Sequence, residues 1–438
     1  MEALSLILFV VVFSLILIGY PVAFTLGGVA VMFGLLTFGP DFFYLLALRI
    51  YGTMSNFILI SVPLFVYMGV MLEKSGVAER LLESMAYLFG RIKGGLAISV
   101  IVVGTLLAAS TGIVGATVVT MGLLSLPSML KKGYSPELAT GTIASAGTLG
   151  QIIPPSVVLV LLGSVLNVSV GTLFAAAILP GLGLVGLYIL YVAILAQLKP
   201  RLAPAMTEEE LQAFQTDNIF KKILFSFVLP MLLVLAVLGS ILAGIASPTE
   251  AAAIGAFGAS LLTMLQKKFS FQVLIDVMME TTHITAMVFT ILLGAAAFGL
   301  VFRGMGGDHY LVRLIQEAQL TPYAFLALVM MVIFIAGFFI DFIEIVFIIV
   351  PVVAPVFKAM QMDLIWIGVL IALNLQTSFL TPPFGFSLFY LKGVAPPQVT
   401  TLHLYKGIVP FVFIQLLLVL LVAIFPQIVN WLPNYIGK

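Results

Sequence analysis

Two proline pairs, each preceded by hydroxyl and amide side chains, are the residues of this sequence best placed to do chemistry. Pro154-Pro155 ends the run GTLGQIIPP, and Pro382-Pro383 ends QTSFLTPP. A proline lacks the backbone N–H donor and clashes with the preceding turn, so a pair ends one helix and allows another to begin. Carbonyl oxygens at a helix end suit a monovalent cation such as Na⁺, and the free N–H groups of the next helix suit an anion. A packing break satisfied by neighbouring helices is the alternative.

The proline pattern is duplicated. Pro127 and Pro355 each precede a pair by 27 residues, and the whole pattern recurs with a shift of 228. Broken helices in corresponding halves of a chain are the best sequence pointer to the site of a secondary transporter. The polar residues around the two breaks are Ser145, Gly147, Thr148, Gly150, Gln151 and Ser156, and Asn374, Gln376, Thr377, Ser378, Thr381 and Gly385.

A second pair of segments, ASTGIVGAT and AGFFIDFIEI, lies at similar distances before the prolines. Their candidate residues are Ser110, Thr111, Gly112, Gly115 and Thr117, and Gly337, Asp341 and Glu344. A carboxylate near the bilayer centre costs about 2.5–3.5 kcal/mol on insertion scales, so each acid needs a partner. Asp341 and Glu344 are three residues apart and are predicted to share a helix face. Proton coupling and a buried pair that fixes packing both remain open.

Arg303 ends a long apolar run, in GLVFRGMGGDHY. Its planar guanidinium can bind a substrate carboxylate through two hydrogen bonds. The rival interpretations are snorkelling to the membrane interface and pairing with Asp308.

The composition describes the setting of these residues. Of 438 residues, 62% are hydrophobic and 8% are charged, with a mean hydropathy of +1.25. These values predict an all-α polytopic membrane protein. The chain has no cysteine, which excludes disulfides and thiolate chemistry, and its three histidines lie far apart. Its net charge of +1, without a basic block, argues against nucleic acid as a partner.

Apolar runs of about 20 residues predict the spans. We place them near 4–19, 22–38, 57–72, 95–117, 172–197, 223–245, 250–266, 284–302, 323–340 and 408–432, with shorter pieces near 118–130 and 343–357. The regions 137–165 and 364–391 are predicted to be re-entrant helical hairpins. The predicted organisation is scaffold helices in 1–60, a first repeat in 61–198, a polar linker in 199–222, scaffold helices in 223–270 and a second repeat in 271–438. Lys- and Arg-rich loops favour the cytoplasm, but the hairpins leave the orientation open.

Three helix starts carry a capping residue followed by proline: Ser135-Pro136, Ser247-Pro248 and Thr321-Pro322. Glu250 completes a capping box with Ser247, so we assign it a structural role.

Several strings together resemble the large membrane subunit, DctM-like, of tripartite ATP-independent periplasmic (TRAP) transporters. They are GGLA, LKKGYSPELATG, GTLGQIIPPS, SVGTLF, SPTEAAAIGA and LTPPFG, and they span most of the chain. The resemblance implies an inverted-repeat, elevator-type permease of the bacterial inner membrane. It also implies sodium-driven uptake of an acidic organic solute such as a C4-dicarboxylate. The implied partners are a periplasmic solute-binding protein (DctP-like) and a small four-helix membrane subunit (DctQ-like), with Na⁺ as coupling ion and no cofactor.

The resemblance also assigns site residues by position. For Na⁺ they are Thr111, Gly112, Thr148, Gly150, Ser156, Gly337, Asp341, Thr377 and Thr381, and for the solute they are Arg303, Ser156, Asp341 and Asn374. Many members have Gly-Ser-Ser where this chain has Ser110-Thr111-Gly112. A free-standing sodium/dicarboxylate carrier or ion antiporter with similar hairpins is the alternative function. A membrane-embedded enzyme is disfavoured because the sequence lacks a nucleophile motif and metal ligands.

Overall fold

Long apolar runs dictate helices, because a helix satisfies every backbone N–H and C=O group without water. A computed structural model describes residues 2–111, 114–208 and 223–437, and within these ranges the regular structure is helical with no strand. The helices are α1 (Glu2–Ile18), α2 (Val22–Phe38), α3 (Phe42–Met54), α4 (Ser61–Lys74), α5 (Val77–Phe89), α6 (Gly95–Thr111), α7 (Val114–Lys131), α8 (Pro136–Thr148), α9 (Val157–Leu166), α10 (Val170–Leu198), α11 (Leu229–Leu242), α12 (Pro248–Leu265), α13 (Phe271–Gly304), α14 (Gly307–Glu317), α15 (Pro322–Ala336), α16 (Phe342–Ile348), α17 (Val350–Ala359), α18 (Leu364–Leu380), α19 (Phe386–Val394), α20 (Thr401–Ile424) and α21 (Gln427–Tyr435).

The length and apolar character of these helices confirm an all-α polytopic membrane protein. Among the described residues, seven helices can cross a membrane, or eight if the bent pair α16–α17 counts as one span. Most predicted spans correspond to observed helices, but the predicted span 95–117 is wrong because it runs from α6 into α7, and 408–432 likewise runs from α20 into α21. Helices α3, α5 and α14 were not predicted. Residues 209–222 of the predicted polar linker lie outside the described residues.

The three predicted helix starts are confirmed. The side chains of Ser135, Ser247 and Thr321 each accept a hydrogen bond from a backbone N–H in the first turn, and each is followed by proline. Glu250 Oε2 accepts from the backbone N–H of Ser247 at 2.7 Å, which completes the capping box.

Helices α6 and α7 form the first hairpin (95–131). Its two ends meet, because the backbone N–H of Leu96 donates to Tyr134 Oη at 3.3 Å. Gly94 N donates to Ala203 O, and Ser135 N donates to the adjacent Leu202 O, both at 3.0 Å. The chain therefore enters and leaves this hairpin at one end of the molecule. We call it the basic end, because the segments that meet there contain Arg91, Lys93, Lys131, Lys132, Lys199 and Arg201.

Helices α8 and α9 form the first crossing helix (136–166), with a break at 149–156. Helix α8 begins at the basic end, directly after Tyr134. Helix α9 leads into α10, whose 29 residues, about 43 Å in length, return the chain to the basic end beside Gly94. The end of α9 thus lies at the opposite end of the molecule. We call it the cavity end, because residues 164–167 line a cavity there.

The second half repeats this arrangement upside down. Helices α15, α16 and α17 form the second hairpin (322–359), whose ends meet where the rings of Phe325 and Phe357 lie 5.0 Å apart. Helices α18 and α19 form the second crossing helix (364–394), with a break at 381–385. It starts at the cavity end, where Gly368 packs against Leu166 at the end of α9. It finishes near the start of α20, whose His403 lies 3.9 Å from Glu137 at the basic end.

The predicted hairpins at 137–165 and 364–391 are therefore wrong in position. Both segments cross the molecule, and the two hairpins are formed by the segments that precede them. The physical reason is that a proline pair ends a helix without reversing the chain. After its break, α9 packs against α16, α17 and α18 and not against α8, while α19 packs against α7 of the first hairpin.

The helix bounds confirm the duplication. Adding 228 to the bounds of α7, 114 and 131, gives 342 and 359, which are the first residue of α16 and the last residue of α17. Adding 228 to 136, where α8 begins, gives 364, where α18 begins. Because the two hairpins have their bases at opposite ends of the molecule, the repeats are inverted.

The helices divide into two groups by their place in the repeats and not by burial, since α10 and α20 also expose apolar side chains and α4 is largely buried. The inner bundle (α6–α10 and α15–α20) contains the hairpins and crossing helices, and residues 138–148 of α8 and 366–380 of α18 are buried throughout. The outer helices (α1–α4 and α11–α13) expose apolar side chains such as Phe24 and Leu36, as lipid-facing helices do. Polar residues at the two breaks are thus shielded from lipid.

Candidate functional site

The first break places polar groups between the ends of two helices. Helix α8 ends at Thr148, a short 3₁₀ turn covers Leu149–Gln151, and Ser156 precedes α9. Ser156 does not cap α9; its hydroxyl donates to Gln151 O at 3.0 Å. The first amides of α9 therefore lack a side-chain cap, and the last carbonyls of α8 point toward the same region. The peptide bonds Pro154-Pro155 and Pro382-Pro383 are both cis.

The first hairpin closes over this break. Gly150 lies so close to Ala108 of α6 that a Cβ atom would collide with the Ala108 carbonyl, and Gly147 packs in the same way on Val118 of α7. Of the predicted ion-site residues here, Thr111 is the last residue of α6, and Gly112 lies outside the described residues. The structure thus brings Thr148 and Gly150 beside the hairpin.

Hydroxyl groups also line the end of α18 at the second break. Thr377, Ser378 and Thr381 each donate to a backbone carbonyl three or four residues earlier, at 2.8 Å. Their oxygen lone pairs remain available as acceptors or cation ligands. The predicted substrate residue Asn374 donates through Nδ2 to Met330 O of the second hairpin at 2.7 Å, which joins α18 to α15.

The tip of the second hairpin carries the two predicted acids. Asp341 is the N-cap of α16, where its Oδ1 accepts from Phe342 N at 2.8 Å, and Glu344 Oε2 accepts from Asp341 N at 3.1 Å. The expectation that the two acids share one helix face is wrong, because the helix begins only after Asp341. Glu344 has a capping role, and Asp341 presents a carboxylate where the chain reverses. Gly337 packs directly on Ser378 of the second break.

The ends of α8 and α18 that precede the two breaks meet at the centre of the inner bundle. Gln376 Nε2 donates to Thr148 Oγ1 at 3.3 Å, and neither side chain is exposed. The two residues are separated by 228 positions, the repeat shift, so each is the counterpart of the other. A residue that touches its own counterpart lies on the pseudo-two-fold axis between the repeats.

Neutral oxygen ligands dominate this centre. Several helix ends lie at the hairpin tips or breaks. They are the carboxyl ends of α8, α15 and α18 and the amino ends of α7, α9, α16 and α19. Carboxyl ends suit a cation and amino ends suit an anion. Within the described ranges, no group of three or more His, Cys, Asp or Glu residues could hold a metal ion. The donor set therefore favours a monovalent cation over a divalent one.

A separate cavity of about 510 Å³ lies between the outer helices and the inner bundle at the cavity end. Its wall contains three basic residues, Arg49 of α3, Arg303 of α13 and Lys358 of α17, and none of its lining residues is acidic. Arg303 Nε donates to Gly299 O of its own helix at 3.1 Å, which anchors the guanidinium and leaves its amino groups for other partners. Asn56 donates to Ser164 at 3.2 Å across the boundary between the two groups.

The predicted substrate site is thus divided. Arg303 lines the cavity, whereas Ser156, Asp341 and Asn374 do not. Asp308, the rival partner of Arg303, instead accepts a hydrogen bond from His309 N at 2.9 Å. The solute roles of Ser156, Asp341 and Asn374 remain predictions.

Sequence reasoning missed Arg49 and Lys358. The signal for Arg49 was available, because it interrupts the apolar run FFYLLALRIYG and a cation inside a span is a functional candidate. Lys358 follows Pro355 at the end of the second hairpin, and only the packing of that hairpin shows that it faces Arg49 and Arg303 across the cavity.

The family model for the DctM component of the tripartite ATP-independent periplasmic transporter matches residues 9–428. The chain is 32% identical over 405 residues to the C4-dicarboxylate TRAP transporter large permease protein DctM of Pseudomonas aeruginosa, covering 92% of each chain. It is 30% identical to the sialic acid permease SiaM of Vibrio cholerae, covering 96% of each chain. It is also 30% identical to the ectoine permease TeaC of Halomonas elongata, covering 86% of each.

Two solved structures share the fold. The YdaH transporter of Alcanivorax borkumensis superposes with a TM-score of 0.63 at 15% identity, covering 94% of this chain and 98% of that one. MtrF of Neisseria gonorrhoeae gives a TM-score of 0.59 at 13% identity, covering 90% and 85%. At these identities the similarity shows the architecture alone.

Proposed function

This chain belongs to the family of DctM components, the large permease subunits of TRAP transporters, and we propose that it uses a sodium gradient to take up an acidic organic solute. Its relatives are permeases and not enzymes, and they lie in the bacterial inner membrane with a small permease subunit and a periplasmic binding protein as partners. The identities of those partners and of the solute are part of the proposal.

The composition of the cavity wall carries the proposal of an acidic solute. Relatives of similar identity are named for C4-dicarboxylates, sialic acid and ectoine, so family membership leaves the solute class open. Arg49, Arg303 and Lys358 bring three positive charges to a half-enclosed space without a lining carboxylate. All three side chains are solvent-accessible, and a cleft lined by charges of one sign attracts ions of the opposite sign. An anionic solute supplies the missing partner, whereas a zwitterion would bring its own positive charge into the same space.

The paired breaks support sodium as the coupling ion. Each break combines the carbonyl end of one helix with hydroxyl groups, and the second has the carboxylate of Asp341 beside it. Such sites offer oxygen ligands with little fixed charge, which suits Na⁺.

The charge distribution supports delivery from the periplasm. The six Lys and Arg residues of the basic end belong to the loops around the base of the first hairpin. The positive-inside rule places these loops in the cytoplasm. The cavity at the opposite end then faces the periplasm, where a soluble binding protein releases its solute.

Uptake by proteoliposomes tests both parts of the proposal. The permease, reconstituted with its small subunit and binding protein, should accumulate solute only under an inward sodium gradient. Equal uptake with external potassium and a proton gradient alone would reject sodium coupling. In a separate binding assay on the purified permease, succinate should raise the melting temperature more than ectoine does at equal concentration. Equal or greater stabilisation by ectoine would reject the preference for an anion.

A further inference from the structure

We infer that Gln376 is a positioning residue that couples the two sodium sites across the pseudo-two-fold axis. The inference rests on the proposed sodium coupling and adds a cooperative link between the ion sites of the two repeats. It assigns a role to a buried amide that belongs to the second break but contacts the first.

Two hydrogen bonds orient the side chain of Thr148. Its hydroxyl donates to Ser145 O at 2.9 Å and accepts from Gln376 Nε2 at 3.3 Å. A hydroxyl oxygen has one hydrogen and two lone pairs. With both hydrogen bonds made, one lone pair remains for a cation, and its direction is set. Without the amide, the hydroxyl is held only by its own helix.

The carbonyl oxygen of the Gln376 amide is unpaired. Gln376 is fully buried, and its Oε1 atom has no hydrogen-bond partner. A buried amide oxygen that is left unpaired destabilises the folded protein. Gln376 directly precedes Thr377 and Ser378, whose hydroxyls lie at the end of α18 before the second break. A cation at the second break would supply the missing partner of Oε1.

The amide of Gln376 therefore has two roles. Its Nε2 donates to Thr148 beside the first break, and its Oε1 is left to bind an ion at the second break. An ion held by Oε1 orders the amide, and an ordered amide fixes the hydroxyl of Thr148. The ion at the first break then binds to a site that is already ordered, so less conformational entropy is lost on binding. This is positive cooperativity. The coupling is reciprocal, so either site can fill first.

Gln376→Met tests the inference, because methionine retains the length and burial of glutamine but neither donates nor accepts a normal hydrogen bond. Solute uptake by proteoliposomes is titrated with external sodium. The wild type should show a Hill coefficient above 1. The variant should show a coefficient near 1, and its half-saturating sodium concentration should rise about twofold to tenfold, the value of one neutral hydrogen bond. Gln415→Met is the matched control, since Gln415 of α20 is a similarly buried glutamine that lies beside Tyr188 of α10. The sodium titration of this control variant should match that of the wild type.

Thr148→Val provides the second arm. If Gln376 couples the sites through Thr148, the double variant should have the same Hill coefficient as Thr148→Val alone. A further fall of the Hill coefficient in the double variant would overturn the inference, as would a wild-type coefficient of 1 or an unchanged titration of Gln376→Met. If Gln376→Met fails to fold, an unchanged Hill coefficient in Thr148→Val overturns it. An absence of sodium dependence in the wild type would instead reject the proposed function.

Discussion

At the scale of single residues, the cavity and the centre call for different chemistry. Arg303 faces a space whose other charges are positive, so its partner must come from solution. Asp341 lies at a point where the chain reverses and already accepts a backbone hydrogen bond. We propose that the first residue binds an anion and that the second binds a cation.

Arg303→Lys should weaken solute binding while preserving the fold. Lysine keeps the charge but loses the fork that binds a carboxylate through two hydrogen bonds. Because a charge-assisted hydrogen bond contributes about 1.5–3 kcal/mol, the KM for uptake should rise about tenfold or more. Arg201→Lys, at the basic end, is the control. An unchanged KM for Arg303→Lys would support the snorkelling interpretation.

Asp341→Asn should abolish sodium-driven uptake without unfolding the protein. Asparagine is as good an N-cap as aspartate, so α16 should still form. The variant removes only the charge. Asp363→Asn is a matched control, because Asp363 caps α18 in a similar manner, with Oδ1 accepting from Ile365 N at 2.9 Å. If Asp341→Asn still transports against a gradient, the acid is structural and the ion sites depend on neutral oxygens.

At the scale of elements, the close approach of each hairpin to its own crossing helix shapes the breaks. Glycine leaves room for the close approach in each repeat: Gly150 lies against the backbone of Ala108, and Gly337 lies against the side chain of Ser378. At the base of the first hairpin, burial raises the pKa of Tyr134 to about 12. Its hydroxyl therefore stays neutral as it accepts from Leu96 N.

Gly150→Ala should destabilise the protein and impair transport. Its Cβ would collide with the carbonyl of Ala108, and overpacking of this kind costs about 1–3 kcal/mol. The melting temperature in detergent measures the effect. Gly183→Ala, in α10, has no atom within 4 Å of the added Cβ and should be neutral or slightly stabilising. Equal melting temperatures for the two variants would show that the first hairpin moves aside at no cost.

At the scale of the whole molecule, hydrogen bonds join the outer helices to the inner bundle. Asn56 donates to Ser164 at the cavity, and Thr120 of the first hairpin donates to the half-buried Glu73 of α4. If the inner bundle moves as an elevator, these contacts must break in each transport cycle. The elevator movement remains a prediction.

Crosslinking tests that movement directly, because the chain has no cysteine of its own. The pair Asn56→Cys with Ser164→Cys should lose uptake when oxidised and recover it when reduced. The pair Glu137→Cys with His403→Cys is the control, since both residues belong to the inner bundle and should travel together. Full uptake by the oxidised first pair would contradict an elevator.

The sequence by itself determined the membrane setting, the duplication and the positions of the breaks. These follow from local properties: hydrocarbon length, the missing N–H of proline and the cost of burying polar groups. The Ser-Pro and Thr-Pro helix starts were predictable for the same reason. The capping box of Ser247 and Glu250 needed no tertiary information, because every atom involved lies within four residues.

Only the tertiary structure decided which segments reverse and which cross. A proline pair specifies where a helix ends, but the direction of α9 depends on its packing against a hairpin some 180 residues away in sequence. The same holds for the contact of Gln376 with Thr148, which exists only because two inverted repeats share an axis. Arg49, Arg303 and Lys358 come from three separate helices, so their shared cavity is a product of packing and has no signature in any one stretch of sequence.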